Sequence, residues 1–217
     1  MKASQNIFFA LLLILVAIFV FNDANRDTTL SFDQEDLVDS GLFNDPSQFD
    51  KELLEKRIII LTKEVNQYSA KRIIASLLLL DAQDPEKEIN FYINTGGGWL
   101  CDAFAIIDTM QSINAPVNTI ATGDACSSGM LLLAAGTGKR LATSNALVMV
   151  HTNVVNYDEQ FDYDTLEYAR YLKFCQDHTN IPLEWIQEKA DESYYLSATE
   201  ALKYNIIDAI HNPKSEN

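Results

Sequence analysis

The sequence predicts an α/β domain built on a parallel sheet packed with helices. Three observations carry that prediction. From about residue 53 to 210, short apolar strand-like runs alternate with helical patterns, as expected for strands joined by helical crossovers. Small-residue clusters follow two of these runs: Gly96-Gly97-Gly98 after Ile89–Ile93, and Gly123 to Gly129 after Val117–Thr122. With 217 residues and 47% hydrophobic content, the chain can fill one sizeable core. No internal repeat or low-complexity tract competes with this reading.

In chain order, Arg57–Thr62 reads as a strand and Val65–Leu80 as a helix, closed by a loop from Asp81 to Pro85. Glu88–Asn94 is a strand. Leu100–Ile113 is a helix stopped by Asn114-Ala115-Pro116, since proline lacks the N–H that a further turn needs. Val117–Thr122 is a strand, and Ser127–Ala135 a buried helix with Gly136 as its C-cap. Arg140–Ala142 is a short strand and Ala146–Val150 a longer one. Residues 163 to 178 read as one long helix, Leu183–Ala190 as a shorter one, and Thr199–Tyr204 as a capped final helix. Asn205 follows it, a residue that tolerates the left-handed conformation a helix end needs.

The ends differ from the middle. Ile7 to Phe21 is fifteen apolar residues without interruption, after Lys2 and before Asn22-Asp23. As a helix it would reach about 22 Å, short of the roughly 30 Å hydrocarbon core. An uncleaved signal anchor within residues 1–25 is the favoured reading, against a cleaved signal peptide or a core-buried helix. Lys2 inside and acids beyond would put the following domain outside the cytoplasm. Residues 22 to 55 hold ten acids against Arg26 and Lys51, about half of the net charge of −15. A solvated linker over 26–52 fits that stretch, and so does an acidic segment that docks on a partner. A nucleic-acid partner is disfavoured, because nothing here could form a basic stripe. Cys101, Cys126 and Cys175 are scattered, with no C-x-x-C, so neither a metal site nor a disulfide framework is indicated. No cofactor is expected.

The chemistry concentrates at Gly123-Asp124-Ala125-Cys126-Ser127-Ser128-Gly129. A serine between a strand and a helix, surrounded by small residues, can sit on a tight turn with free helix N–H groups nearby. An isolated A-x-S-x-G also fits a turn with no chemistry. Two further features weigh for a site. Gly96–Gly98 stands at a strand C-terminus before a helix, where ligands approach open α/β sheets. His151 ends the Ala146–Val150 run, whereas His178 and His211 read as solvated bystanders. Cys126 would point into the core rather than serve as a thiol nucleophile.

These motifs, in order, resemble the proteolytic subunit of the Clp protease, the ClpP family. Arg57-Ile-Ile-Ile-Leu-Thr62, Phe91-Tyr-Ile-Asn-Thr-Gly-Gly-Gly98, the Ser127 turn, Val148-Met-Val-His151, Leu196-Ser-Ala-Thr-Glu-Ala201 and Ile206-Ile-Asp208 carry the likeness, from about Leu53 to Ile210. It implies a ClpP/crotonase-like spiral of β-β-α units over residues 53–212. It also implies a serine endopeptidase acting on peptides or unfolded proteins and assembling as a homo-oligomeric ring. By resemblance Ser127 is the nucleophile, His151 the general base, and the N–H groups of Gly98 and Ser128 the oxyanion hole. Where the family carries its triad aspartate this chain has Ser193, with Asp191 and Glu192 as neighbours that a shifted loop could present. The glycine-rich handle that joins two rings in the family is replaced by Thr152 to Asp162, which holds no glycine. Phe91-Tyr92 falls at the family's docking groove for an unfoldase ATPase, a partner reachable only if the domain is cytoplasmic.

Three functions fit these residues. The first is a ClpP-like peptidase tethered to a membrane through residues 7–21. The second is a non-catalytic ClpP-like subunit or scaffold, favoured by Ser193. The third is a crotonase-type acyl-CoA enzyme, which shares the oxyanion architecture but needs no serine beside a histidine.

Overall fold

Alternation along the second strand sets the sheet. In the computed structural model, which describes residues 46–151, 163–187 and 193–211, β2 (Ile89–Thr95) buries Ile89, Phe91, Ile93 and Thr95. The residues between them are half-buried or exposed, the two-residue period of a strand. β2 lies between β1 (Ile58–Leu61) and β3 (Val117–Cys126), parallel to both. β3 pairs next with β4 (Arg140–Thr143), which carries β7 (Ala209–His211) on its other side, again parallel. Parallel neighbours need crossovers. α2 (Gln67–Gln83), α3 (Leu100–Ser112) and α4 (Ser128–Ala134) supply them between β1 and β4.

These helices bury the faces their spacing predicts. α2 puts Ala70, Ile73, Leu77 and Leu80 into the core, and α3 puts Ala103, Phe104, Ile106, Ile107 and Met110 there. All seven residues of α4 are buried, so it is enclosed on every side. Asn66 caps α2, its Oδ1 accepting from the N–H groups of Tyr68 and Ser69. The other end of α2 is closed by Arg57, a buried cation with φ 58°. Its guanidinium donates to the carbonyls of Leu80 (2.9 Å), Asp84 (3.0 Å), Lys87 (2.7 Å) and Glu88 (3.1 Å), so four main-chain oxygens replace a carboxylate.

The feature that positions the site is a fork in β3. Its first half, Thr119 to Ala121, runs beside Arg140 to Ala142 of β4. Its second half, Asp124 to Cys126, runs beside Leu147 to Met149 of β5 (Leu147–His151). On the opposite side, Ile93 pairs with Ala121 but Thr95 with Ala125, so β3 bulges between them. The Asn94 side chain fills the bulge, its Oδ1 accepting from the Asp124 N–H at 3.0 Å. β5 then pairs antiparallel with β6 (Ser193–Ser197), the one antiparallel ladder of the described sheet. After His151 the next described element is α5 (Tyr163–His178), followed by α6 (Leu183–Gln187), and α7 (Ala198–Lys203) follows β6.

Several expectations are corrected. The loop expected at Asp81–Pro85 begins later, because α2 continues to Gln83 under the Arg57 cap. Pro46–Glu55 forms a helix, α1, partly inside the acidic stretch expected as linker, with its acids at Asp50, Glu52 and Glu55 all exposed. Gly136 does not serve as a left-handed C-cap. Ala135 ends α4 at φ −85°, and Gly136 is constrained instead by Thr119, whose Oγ1 would sit 2.5 Å from an added Cβ. His178 is no bystander in solvent: one helical turn after Phe174, it stacks on that ring at 4.1 Å, with Nδ1 3.1 Å from the Phe174 carbonyl oxygen. His211 is part of β7 rather than a free tail. Asn205 has the expected left-handed φ, 54°.

Candidate active site

β3 ends at Cys126 and α4 begins at Ser128, so the single residue between them makes the whole turn. Ser127 does so at φ 55° and ψ −122°, a region that costs a non-glycine residue about 1–3 kcal/mol. Two main-chain bonds hold it there. Its N–H donates to the Met149 carbonyl at 2.9 Å, extending the β3–β5 ladder by one rung, and its carbonyl accepts from Met130 at 3.0 Å. Close packing does the rest. A Cβ on Gly97 would lie 2.7 Å from both Ser127 Cβ and the Cys126 carbonyl oxygen, and Gly97 has φ 102°. Only glycine fits at 97.

The glycine loop is fastened on its other side by Val65. The Val65 N–H donates to the Gly97 carbonyl, and the Trp99 N–H donates to the Val65 carbonyl, both at 2.8 Å. In such a bridge Gly97 C=O and Trp99 N–H face Val65, which leaves the Gly98 N–H directed away from it. A Cβ on Gly98 would fall 2.1 Å from the Val65 carbonyl oxygen, so glycine is required here as well. Thr95 Oγ1 shapes the loop start, accepting from the Gly97 N–H at 3.1 Å and donating to the Lys63 carbonyl at 2.7 Å. Across the loop, Ser128 is the first residue of α4, where N–H groups lack intrahelical partners. Among the described residues, neither the Gly98 nor the Ser128 N–H has an acceptor. Ser128 Oγ is fully buried and also has no partner among them.

His151 closes β5, two residues beyond Met149. The antiparallel register puts Ser193 directly opposite it, and Ser193 Oγ lies 3.4 Å from His151 Nδ1. A hydroxyl can accept from Nδ1–H and so favour the tautomer with Nε2 free, but it brings no charge. Burial holds the imidazole below the usual histidine pKa, so the neutral form prevails near pH 7. From behind, the Tyr171 hydroxyl on α5 donates to the His151 carbonyl at 3.3 Å. Tyr168, stacked on Tyr171 with centroids 6.5 Å apart, donates to the Ile186 carbonyl at 3.1 Å. One face of α5 therefore grips both the His151 strand and α6.

Of the residues singled out by sequence, Ser127, Ser128, Gly98, His151 and Ser193 lie on elements joined by this ladder and loop. The alternatives Asp191 and Glu192, the segment Thr152–Asp162 and the apolar run 7–21 lie outside the described residues. Among the described residues no helix is long and apolar enough to cross a membrane. Cys126 is buried as expected, and burial, with Asp124 nearby, pushes its thiol up, away from a reactive thiolate. Phe91 is wholly buried in β2. Sequence reasoning singled out the Gly96–Gly98 run but not the separate part Gly97 plays in it, and it gave no role to Asn94, Thr95 or Tyr171. Gly97, Asn94 and Thr95 stand within or next to the glycine run, and only tertiary contact distinguishes them from loop filler.

An α/β sheet of mostly parallel strands joined by helical crossovers is a ClpP/crotonase-like fold. A family model described as Clp protease matches residues 44–214, well over half of the chain, and the chain belongs to that family. The family's members generally form oligomeric rings and cleave peptides.

Proposed function

We propose that the chain is a serine-type endopeptidase of unstructured peptides or proteins, working as a ring, with Ser127 as nucleophile. The observation that carries this reading is the backbone of Ser127. A strained φ/ψ that two main-chain hydrogen bonds and the packing of Gly97 maintain is what a nucleophile needs to stand clear of the strand it ends. In this mechanism His151, neutral near pH 7, takes the Ser127 proton as the hydroxyl attacks the scissile carbonyl. The N–H groups of Gly98 and Ser128 receive the oxyanion, and their lack of other acceptors supports that role. The imidazolium then gives its proton to the leaving amine, and water repeats the sequence on the acyl-enzyme. Ser193 holds the third place as a neutral acceptor, so the imidazolium gains less stabilisation than from a carboxylate and turnover is slow.

A non-catalytic subunit is the second reading, favoured by that same Ser193. A fluorophosphonate probe separates the two. Ser127 should take the label, Ser127→Ala should not, and Cys126→Ala should label like wild type. Failure of the assembled wild-type protein to take label at high probe concentration would establish the scaffold reading. The proposal includes a tether through residues 7–21 and an extracytoplasmic domain, supported by Lys2 before the apolar run and the acids after it. Deleting residues 1–25 should release the protein from membranes. Protease accessibility placing the C-terminus in the cytoplasm would reverse the topology and make an unfoldase ATPase the expected partner.

A further inference from the structure

Beside the glycine loop the surface carries an aromatic cleft that the proposed chemistry does not use. Trp99, the residue after Gly98, is 64% exposed, and Tyr68 in the first turn of α2 is 71% exposed. Together with Glu64, Asn66, Cys101 and Asp102 they line a cleft of about 480 Å³. Two large rings left this open gain nothing from core packing. The polar lining has one sign: Glu64 and Asp102 bring carboxylates, no lysine or arginine lines the cleft, and neither acid forms an ion pair among the described residues. The Asn66 side-chain oxygen is already committed to the cap of α2.

We propose that this cleft is a subsite for a lysine or arginine side chain of the peptide substrate, a reading that rests on the peptidase function above. An ammonium or guanidinium over the face of an indole or phenol, with carboxylates beside it, satisfies both kinds of lining group. An aliphatic side chain would leave the two carboxylates facing it unpaired. The cleft is within reach of the reacting bond. Gly97 packs against Ser127, and Trp99 is two residues on, so the Trp99 backbone lies within about 12 Å of the Ser127 side chain, three to four residues of extended peptide. Glu64 also lines the neighbouring groove along Gly96–Gly98, so the cleft and the loop share one continuous surface.

The test uses the full chain and fluorogenic peptides that differ only in carrying Lys, norleucine or Glu at each of four positions on either side of the cleaved bond. At one position Lys should exceed norleucine about tenfold in kcat/KM, chiefly through KM, with Glu poorest and the preference weakening as salt rises. Trp99→Ala, and Glu64→Gln with Asp102→Asn, should each bring the Lys-to-norleucine ratio below about threefold. A ratio is internal to each variant, so a general loss of activity cancels. Equal rates for Lys and norleucine, or a preference intact in both variants, overturns the proposal. So does Trp99→Ala changing the oligomer size while the preference persists, which assigns the cleft to contact between copies. If no peptide is cleaved and no probe label is taken, the peptidase reading fails. Fluorescence anisotropy with the Lys and norleucine peptides then decides the cleft alone: tighter Lys binding lost in Trp99→Ala upholds it, and equal binding overturns it.

Discussion

Under the proposed mechanism, replacing Ser193 by aspartate should speed peptide cleavage, and the size of the gain can be worked from the His151 pair. Ser193 Oγ stands 3.4 Å from Nδ1, opposite it in the β5–β6 ladder. An aspartate carboxylate extends about one atom farther from the same Cβ, closing the gap to roughly 2.8 Å. Two unit charges about 4 Å apart at an effective dielectric near 20 interact by about 4 kcal/mol. Ser193 is exposed, so solvent and salt remove half or more of that, leaving ~1.4–2 kcal/mol, roughly a ten- to thirtyfold rise in kcat. The roughly ten-thousandfold effect of deleting a triad aspartate is the ceiling. The assay is kcat on a fluorogenic peptide from pH 5 to 9. In the wild type, burial lowers the His151 pKa, so the acid limb of the profile falls below the ordinary histidine range. A carboxylate favours the imidazolium, so in Ser193→Asp the acid limb should move upward as the plateau rises. An unchanged or lower plateau, together with loss of activity in Asp191→Asn or Glu192→Gln, would refute the reasoning and assign the carboxylate to the preceding loop.

Gly97→Ala should cut probe labelling of Ser127 more than tenfold and lower stability by about 1–3 kcal/mol, since its Cβ meets Ser127 and φ is 102°. Labelling at the wild-type rate would show that the contact does not set the turn. Ser128→Ala should raise Tm by roughly 2–4 °C, because a buried hydroxyl without a partner costs about 1 kcal/mol or more, while the N–H at 128 is kept. A fall in Tm measured by calorimetry would mean that the hydroxyl is bonded in solution. Tyr171→Phe removes the donor to the His151 carbonyl and should lower kcat two- to fivefold with KM nearly constant, about 0.5–1 kcal/mol for one long bond. An equal loss in kcat and stability with no change in pH profile would make Tyr171 a packing residue only.

The strands of the parallel sheet were readable because burial gives them apolar runs, and Ile58 to Leu61 or Val148 to Val150 need no partner to be recognised. β3 was read as ending at Thr122, yet it runs to Cys126, because past Thr122 its neighbour changes from β4 to β5. A change of partner leaves no local pattern. β6 escaped notice for a related reason. Ser193-Tyr194-Tyr195-Leu196-Ser197 buries only Leu196, and its ladder partner lies 42 residues back at His151. Ser127 and His151 could be picked out as a turn serine and a strand-end histidine, whereas Gly98 and Ser128 entered the candidate site through the family resemblance. That Ser193 faces Nδ1 follows from counting motif positions, whereas Gly97 against Ser127, and Tyr171 behind His151, exist only once the chain has closed.

The fork in β3 has a thermodynamic consequence. Within the trunk, β1–β2 and β2–β3 are held by parallel ladders of four and six paired residues, whereas the branch of β5 and β6 joins β3 through three rungs, Asp124–Leu147 to Cys126–Met149, and the Ser127 N–H. Opening that short seam detaches His151 and Ser193 as one piece and leaves Ser127 on the trunk. Ser127 and His151 thus stand on opposite sides of that seam, and backbone amides of the branch should exchange with deuterium before those of β2 and the first half of β3.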